Sequence, residues 1–375
     1  MTEKVVILAH QLAPAYGAAR VALDLADGFS ESVDVTVIVF DGDEAANRAA
    51  LGDKIRLIQL TRSAGPIGWL FLAQRLAVVF KSFPKGTPLV SFMTFANLAA
   101  CAGNVMAGGR LRVIATEHNI QSFALRGMGW SGLAALFLMP LVYRRAHKVV
   151  AVSEAVADDL VKRCHLRRGS VLSILNPVDA KRIQALSLEP LPSSYADVVD
   201  VSYIACVAEL KPAKRQDLLI RAWGSVNNVG QKLLLIGDGQ NKAVLEALVH
   251  SMGLSQRVLF LGRVENPWPL VSRLGATVLV PSYEGFGLAA AESAAVGTVP
   301  IGLAIDGLAE VLAGVGGHVI PLGTDESIVA NLVASFDDVG AGLSNDKHFH
   351  VPDEWFSSRT PAKVAEEYLE RTIRN

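Results

Sequence analysis

Residues 278–311, VLVPSYEGFGLAAAESAAVGTVPIGLAIDGLAEV, constrain the fold more than any other stretch of the chain. An apolar, β-branched run stops at Pro281-Ser282, and a tight turn, Glu284-Gly285-Phe286-Gly287, follows. Small, helix-favouring residues then carry the chain past Glu292 to Gly297. Strand, glycine turn and helix N-terminus in that order offer unpaired backbone N–H groups to a phosphate. Gly287 permits close backbone approach, and Leu288 and Ala289 supply first-turn amides.

Two carboxylates beside a phosphate need another role. Glu284 precedes the helix and Glu292 lies two turns into it, about 12 Å further along if the segment is helical. That is too far for two carboxylates to share one scissile bond. It suits a ligand lying along the helix mouth, with hydroxyls at both ends and phosphate between, as in a sugar nucleotide.

The pattern E-G-F-G-L-x(3)-E, with PS-x in front and AAVG-x-VP behind, resembles the signature of family 4 glycosyltransferases. The resemblance implies an α/β chain of GT-B fold: two Rossmann-like, doubly wound parallel-sheet domains facing a central cleft. It implies transfer of a sugar, with retention, from a nucleotide-sugar donor to an acceptor hydroxyl. The expected domains are an acceptor-binding domain over 1–180, a linker over 181–200, a nucleotide-sugar domain over 201–353, and a returning helix over 354–375.

Length agrees with this division, because 375 residues exceed one ordinary core. A net charge of −1 gives no overall pull toward nucleic acid. Three scattered cysteines, Cys101, Cys164 and Cys206, show no metal spacing and suit a reducing compartment. The start, MTEKVVILAH, reads as a strand and not as a signal peptide, and no uninterrupted apolar run reaches bilayer length. The expectation is a cytoplasmic protein, peripheral on the inner membrane face.

In the first half, Lys4–Ala9, a helix from Ala18 and the strand Val33–Phe40 form a βαβ opening. The family's Gly-Gly-x-Glu-Arg turn is matched in part by Tyr16-Gly17-Ala18-Ala19-Arg20, which makes Gly17 a donor-binding candidate. Asp41-Gly42-Asp43 has the spacing of a metal-binding Asp-x-Asp, but its place after the second strand reads as a turn. The family needs no metal and no other cofactor. Residues 67–83 and 127–148 are apolar stretches with basic residues, the second carrying Trp130, Pro140, Arg144, Arg145, His147 and Lys148. They read either as helices packed on the sheet or as a contact with an anionic membrane face. Leu111–Thr116 is a strand ending in Glu117-His118-Asn119, and a histidine there faces a ligand crevice. The resemblance makes His118 catalytic, beside the donor sugar and its phosphates.

In the second half, Val201–Ala208 opens another βαβ set, followed by the basic loop Glu209–Asp217. The family's loop is Gly-Arg-Leu-x(3)-Lys; Lys214 matches the lysine, while Ala208-Glu209 replaces Gly-Arg. Lys211, Arg215 and Arg263 are the residues able to restore the lost charge, and Arg263-Val264 marks the base-binding loop. Glu284 is expected at the donor sugar's hydroxyls, Gly285 to Leu288 at the diphosphate, and Glu292 at the ribose. Asp306-Gly307-Leu308-Ala309-Glu310 resembles the family's Gly-Gly-x-x-Glu with one glycine replaced. The donor expected is a UDP-sugar first and a GDP-sugar second, and the acceptor a saccharide, lipid-linked, of surface-polysaccharide assembly. The departures at Tyr16, Ala19 and Glu209 leave open a catalytically inactive sugar-nucleotide-binding scaffold, and the fold leaves open an epimerase.

Overall fold

A computed structural model describes residues 3–13, 17–61, 65–192, 195, 202–226, 231–343 and 353–374. The chain divides into two compact units, Met1–Val178 with Ser358–Asn375, and Asp179–Ser357.

The first unit is built on a seven-stranded, wholly parallel sheet. Its strands are β1 (Lys4–Ala9), β2 (Asp34–Val39), β3 (Arg56–Gln59), β4 (Pro88–Phe92), β5 (Arg112–Glu117), β6 (Lys148–Ala151) and β7 (Val171–Ser173). Their order is β3-β2-β1-β4-β5-β6-β7, with Ile7 opposite Val37 on one side and Val90 on the other. Val5 to Ala9 are all buried, as a parallel strand covered on both faces requires. The winding reverses between β1 and β4, the position where such sheets open a crevice.

Helices Gly65–Phe80 and Thr94–Met106 share one core with Val6, Leu8, Ile38 and Phe40. Their close contact depends on Gly103, where a Cβ would stand 2.7 Å from the Ala73 carbonyl oxygen. The last helix, Pro361–Tyr368, packs against Gly17–Ser30. A Cβ at Gly28 would overlap the Pro361 carbonyl, and Phe29 meets Tyr368 edge to face at 6.2 Å.

The second unit has a six-stranded parallel sheet of β8 (Ser202–Val207), β9 (Lys232–Ile236), β10 (Val258–Gly262), β11 (Ala276–Leu279), β12 (Val299–Leu303) and β13 (His318–Ile320). The order is β10-β9-β8-β11-β12-β13, the two-halved dinucleotide-fold winding, with its reversal between β8 and β11. The stretch read as a linker, 181–200, starts inside a helix, Ala180–Ser187, capped by the Asp179 carboxylate. That helix is part of the second unit: Gln184 Nε2 donates to the Ala295 carbonyl at 3.0 Å.

The helical stretch Gln121–Arg145 is 25 residues long and apolar enough to cross a bilayer by length and composition, although no uninterrupted apolar run within it reaches that length. It gains this length because Pro140 is accommodated inside the helix Gly129–Val142, and short turns extend both ends. Only 22% of its most apolar window is buried. Trp130 and Phe137 are 89% and 75% exposed.

Candidate functional site

In the second unit, the loops after β8 and β11 meet at the winding reversal. The Ser282 N–H donates to the Ala213 carbonyl at 2.8 Å, which joins the two loops directly. Lys214 closes a 3-10 turn, Pro212–Lys214, and Glu284 lies in the turn after β11. The Lys214 ammonium stands 2.5 Å from Glu284 Oε2, with side-chain exposures of only 20% and 15%. Burial pulls the Lys214 pKa down, but the Glu284 carboxylate outweighs burial and leaves it raised. Lys214 therefore keeps its charge throughout the physiological range.

Gly287 caps the helix Leu288–Ala295 in the left-handed conformation, φ 89°, ψ 50°. The first local helical bond there is Ala290 N–H to the Gly287 carbonyl, so the Leu288 and Ala289 amides lie ahead of the ladder. Glu292 is 3% exposed inside that helix, and Phe286 is 2% exposed. Phe286 thus anchors the turn in the core, while Gly285 and Gly287 form its backbone path.

The replaced glycine has a local explanation. Asp306 adopts φ 44°, the left-handed region that glycine would favour, and its Oδ2 accepts the Glu284 N–H at 3.3 Å. The Gly307 N–H in turn donates to the Glu284 carbonyl at 3.1 Å. Aspartate is among the few residues that tolerate this region, because its short side chain bonds nearby backbone. Here that bond steadies Glu284 itself, a role the spacing of the sequence did not disclose.

Of the residues considered for the missing positive charge, Arg215 is already engaged. It bonds Asp217 at 3.1 Å and Asp325 at 2.7 Å and sits at φ 48°. Lys211 pairs with Glu209 at 3.0 Å, so the carboxylate that would repel phosphate carries its own cation. Arg263 is exposed and Val264 half-buried, just after β10. Gly237 and Gly239, after β9, press on the carbonyls of Ala208 and Leu210, where a Cβ would collide.

In the first unit, Gly17 opens the helix Gly17–Ser30, while Tyr16 lies outside the described residues. Asp43 caps the helix Glu44–Ala49, and Asp41 Oδ2 lies 3.2 Å from His10 Nε2. His118 follows β5, its ring stacked on Phe92 at 5.2 Å. Its Nε2 is 3.0 Å from Thr116 Oγ1, whose own hydrogen goes to the Ser91 carbonyl at 2.9 Å. The hydroxyl can therefore only accept from the ring, which assigns the proton to Nε2 and leaves Nδ1 as an acceptor. Burial holds the His118 pKa down at about 3, so the ring is neutral.

Glu117, beside it, escaped the sequence reading. It is fully buried, and its carboxylate collects Thr94 Oγ1 at 3.0 Å, Asn97 Nδ2 at 3.1 Å, Gln121 Nε2 at 2.5 Å and the Tyr143 hydroxyl. Burial raises its pKa to about 7, against the pull of those four donors.

Opposite pH slopes follow for these neighbours. An acid with a raised folded pKa contributes fully below its ordinary 4.5 and loses that contribution as pH climbs to about 7. His118, depressed from 6.5 to about 3, contributes fully above 6.5 and loses it as pH falls toward 3. Between pH 5 and 6.5 the two slopes oppose each other, so Glu117→Gln is expected to make the melting temperature rise more steeply with pH than in the wild type. Calorimetry showing the wild-type slope in the variant would remove Glu117 from this account.

Residues 15–182 match the family model described as Glycosyltransferase Family 4, and residues 194–336 the model described as Glycosyl transferases group 1. The chain is 26% identical over 190 residues to the N-acetylgalactosamine-N,N'-diacetylbacillosaminyl-diphospho-undecaprenol 4-alpha-N-acetylgalactosaminyltransferase of Campylobacter jejuni, covering 51% of this chain and 50% of that protein. It is 25% identical over 217 residues to the N-acetyl-alpha-D-glucosaminyl L-malate synthase of Bacillus anthracis, covering 57% and 56%. These matches span about half the length of each relative. Among solved structures, Anabaena HepE in complex with UDP and glucose superposes with a TM-score of 0.72 at 17% identity, covering 99% of this chain and 95% of the other. At that identity the likeness speaks for the fold.

Proposed function

Because this chain belongs to the family 4 glycosyltransferases of GT-B fold, we propose that it moves a sugar from a nucleotide-sugar donor to a saccharide hydroxyl, with retention at the anomeric carbon. The observation that carries this reading is the Lys214–Glu284 pair at the winding reversal of the second sheet, directly ahead of the Gly287 helix cap. Lys214 and the Leu288 and Ala289 amides stabilise the diphosphate as it leaves, so the positive charge is assigned to the protein and not to a metal. Glu284 accepts hydroxyls of the donor sugar, and Glu292 serves the ribose. His118, neutral and with Nδ1 as its acceptor, takes a hydrogen bond from a substrate hydroxyl and does not act as an acid.

The donor we favour is a UDP-sugar, supported by the UDP held by the similar HepE fold. For the acceptor we favour a lipid-linked saccharide at the cytoplasmic membrane face. The relative named for a diphospho-undecaprenol substrate supports this, as does the exposed apolar face of Gly129–Val142, followed by Arg144 and Arg145.

A thermal-shift panel of UDP, GDP, ADP and dTDP with the matching sugar nucleotides tests the donor. A ligand of the native state must raise the melting temperature. One nucleotide is expected to stabilise the wild type and to do so less in Glu292→Ala. No shift at millimolar ligand would instead mean a disabled donor site and favour a scaffold that binds no nucleotide.

A further inference from the structure

We propose that Glu117 is a positioning residue for His118, and that its carboxylate ties the histidine to both ends of the surface segment carrying the exposed helix Gly129–Val142. This rests on the transferase reading above, in which His118 meets a substrate hydroxyl, and adds the group that sets the place of the ring.

The carboxylate is fully used. Oε1 accepts from Asn97 Nδ2 at 3.1 Å and from the Tyr143 hydroxyl, and Oε2 accepts from Thr94 Oγ1 at 3.0 Å and from Gln121 Nε2 at 2.5 Å. These donors match the lone-pair directions of an ionised carboxylate. They come from separate segments: Thr94 and Asn97 begin the helix Thr94–Met106, Gln121 opens the turn Gln121–Ala124, and Tyr143 follows Gly129–Val142. All of these partners are uncharged. Burying a carboxylate among them costs more than burying an apolar residue of that size. What the bonds secure is one geometry.

Short links pass that geometry to the ring. Asn97 Nδ2 donates to the Thr116 carbonyl at 2.8 Å as well as to Glu117, and Thr116 Oγ1 is the group that meets His118 Nε2 at 3.0 Å. From the β4 side, Phe92 stacks on the imidazole at 5.2 Å, and Thr94, just beyond it, bonds Glu117. Met93 between them adopts φ 75° and ψ 145°, a region a methionine occupies only where its surroundings dictate it. Its N–H reaches the Thr116 carbonyl at 3.2 Å, and its own carbonyl accepts the Asn97 N–H at 2.9 Å. The ends of β4 and β5 are thus laced together around Glu117. Gln121 and Tyr143 extend the lacing outward. They bracket the stretch whose Trp130 and Phe137 are 89% and 75% exposed, so a displacement of that helix reaches Glu117 through a hydrogen bond at each end.

NMR of the full chain labelled with nitrogen-15 histidine tests this, with His118 identified by the loss of its signals in His118→Gln. The ring nitrogen shifts report which nitrogen carries the hydrogen. The wild type is expected to show the Nε2–H form alone. Glu117→Met, of similar length but with no acceptor, should bring in the Nδ1–H form. Asn97→Ala, which removes the bridge to Thr116, should do the same. Glu117→Gln should stay close to wild type, because the Thr94 hydroxyl and the Gln121 amide can turn to face the new N–H donors. Leu25→Ala, a core truncation in the helix Gly17–Ser30, should lower the melting temperature without moving the ring. In turnover of UDP-glucose and UDP-N-acetylglucosamine, read as UDP release, kcat for Glu117→Met should fall by about 10–100-fold while KM and UDP affinity stay within about twofold. A ring unchanged in both Glu117→Met and Asn97→Ala, or moved as far by Leu25→Ala, overturns the positioning role, as does a loss carried by KM. Tyr143→Phe, which deletes one hydroxyl and leaves the carboxylate, keeps the test decisive if Glu117→Met folds poorly. It should shift the ring in the same direction, and no shift there overturns the link to the helix. A wild type that neither binds UDP nor turns over either sugar nucleotide would count against the transferase reading, while the ring spectra would still judge Glu117.

Discussion

Lys214→Ala is expected to lower sugar transfer by about 10²–10³-fold, the scale on which removing one preorganised stabiliser of a developing anion is felt. The donor's leaving diphosphate gains negative charge as the glycosidic bond breaks. In the second unit Lys214 is the cation held most firmly at the winding reversal, 2.5 Å from Glu284 and four-fifths buried. The other loop cations are differently committed: Arg215 to Asp217 and Asp325, Lys211 to Glu209. Removing the ammonium also leaves Glu284 partly buried without its partner, so stability should drop as well. Glu284→Gln removes the sugar-binding charge while keeping shape, and breaks the same ion pair from the other side. If both residues act on one donor, the double variant should lose much less than the product of the single losses. Single-turnover rates within about threefold of wild type for Lys214→Ala would be incompatible with the role assigned to it.

Gly287→Ala is expected to cost about 1–2 kcal/mol of stability through its left-handed backbone alone, and to weaken nucleotide binding with it. The residue sits at φ 89°, and an added Cβ would lie 2.7 Å from Leu308 Cδ1. Leu308 is fully buried, so it has little room to yield. Relief must then come from the turn itself, which moves the Leu288 and Ala289 amides away from the phosphate position. Urea unfolding together with nucleotide titration reads both losses. A variant matching wild type in each would mean that the turn tolerates a side chain and that close approach is not required there.

The sheet strands were legible because parallel strands buried on both faces write themselves as short aliphatic runs, such as Val5 to Ala9 and Leu233 to Ile236. The strand–turn–helix at Glu284–Glu292 was legible because its parts are adjacent in sequence. What escaped depends on residues far apart along the chain. Glu117 looks like an ordinary strand end until Thr94, Asn97, Gln121 and Tyr143 are brought around it. The His10–Asp41 pair joins two strand ends, and no local pattern announces it. Glu209 reads in the sequence only as a lost positive charge, because its ion pair with Lys211 is a matter of geometry. The helix Ala180–Ser187 was hidden by the prolines that follow it at Pro190 and Pro192.

The first unit is assembled from both ends of the chain, with Ser358–Asn375 closing over the helix that begins at Gly17. During synthesis the residues of the second unit leave the ribosome as one continuous piece, while the first waits for its final helix. Until Pro361–Tyr368 arrives, the face around Gly28 and Phe29 stays open to solvent. The nascent chain thus passes through an interval in which its N-terminal half is made but cannot be finished, when exposed apolar surface invites aggregation or chaperone binding.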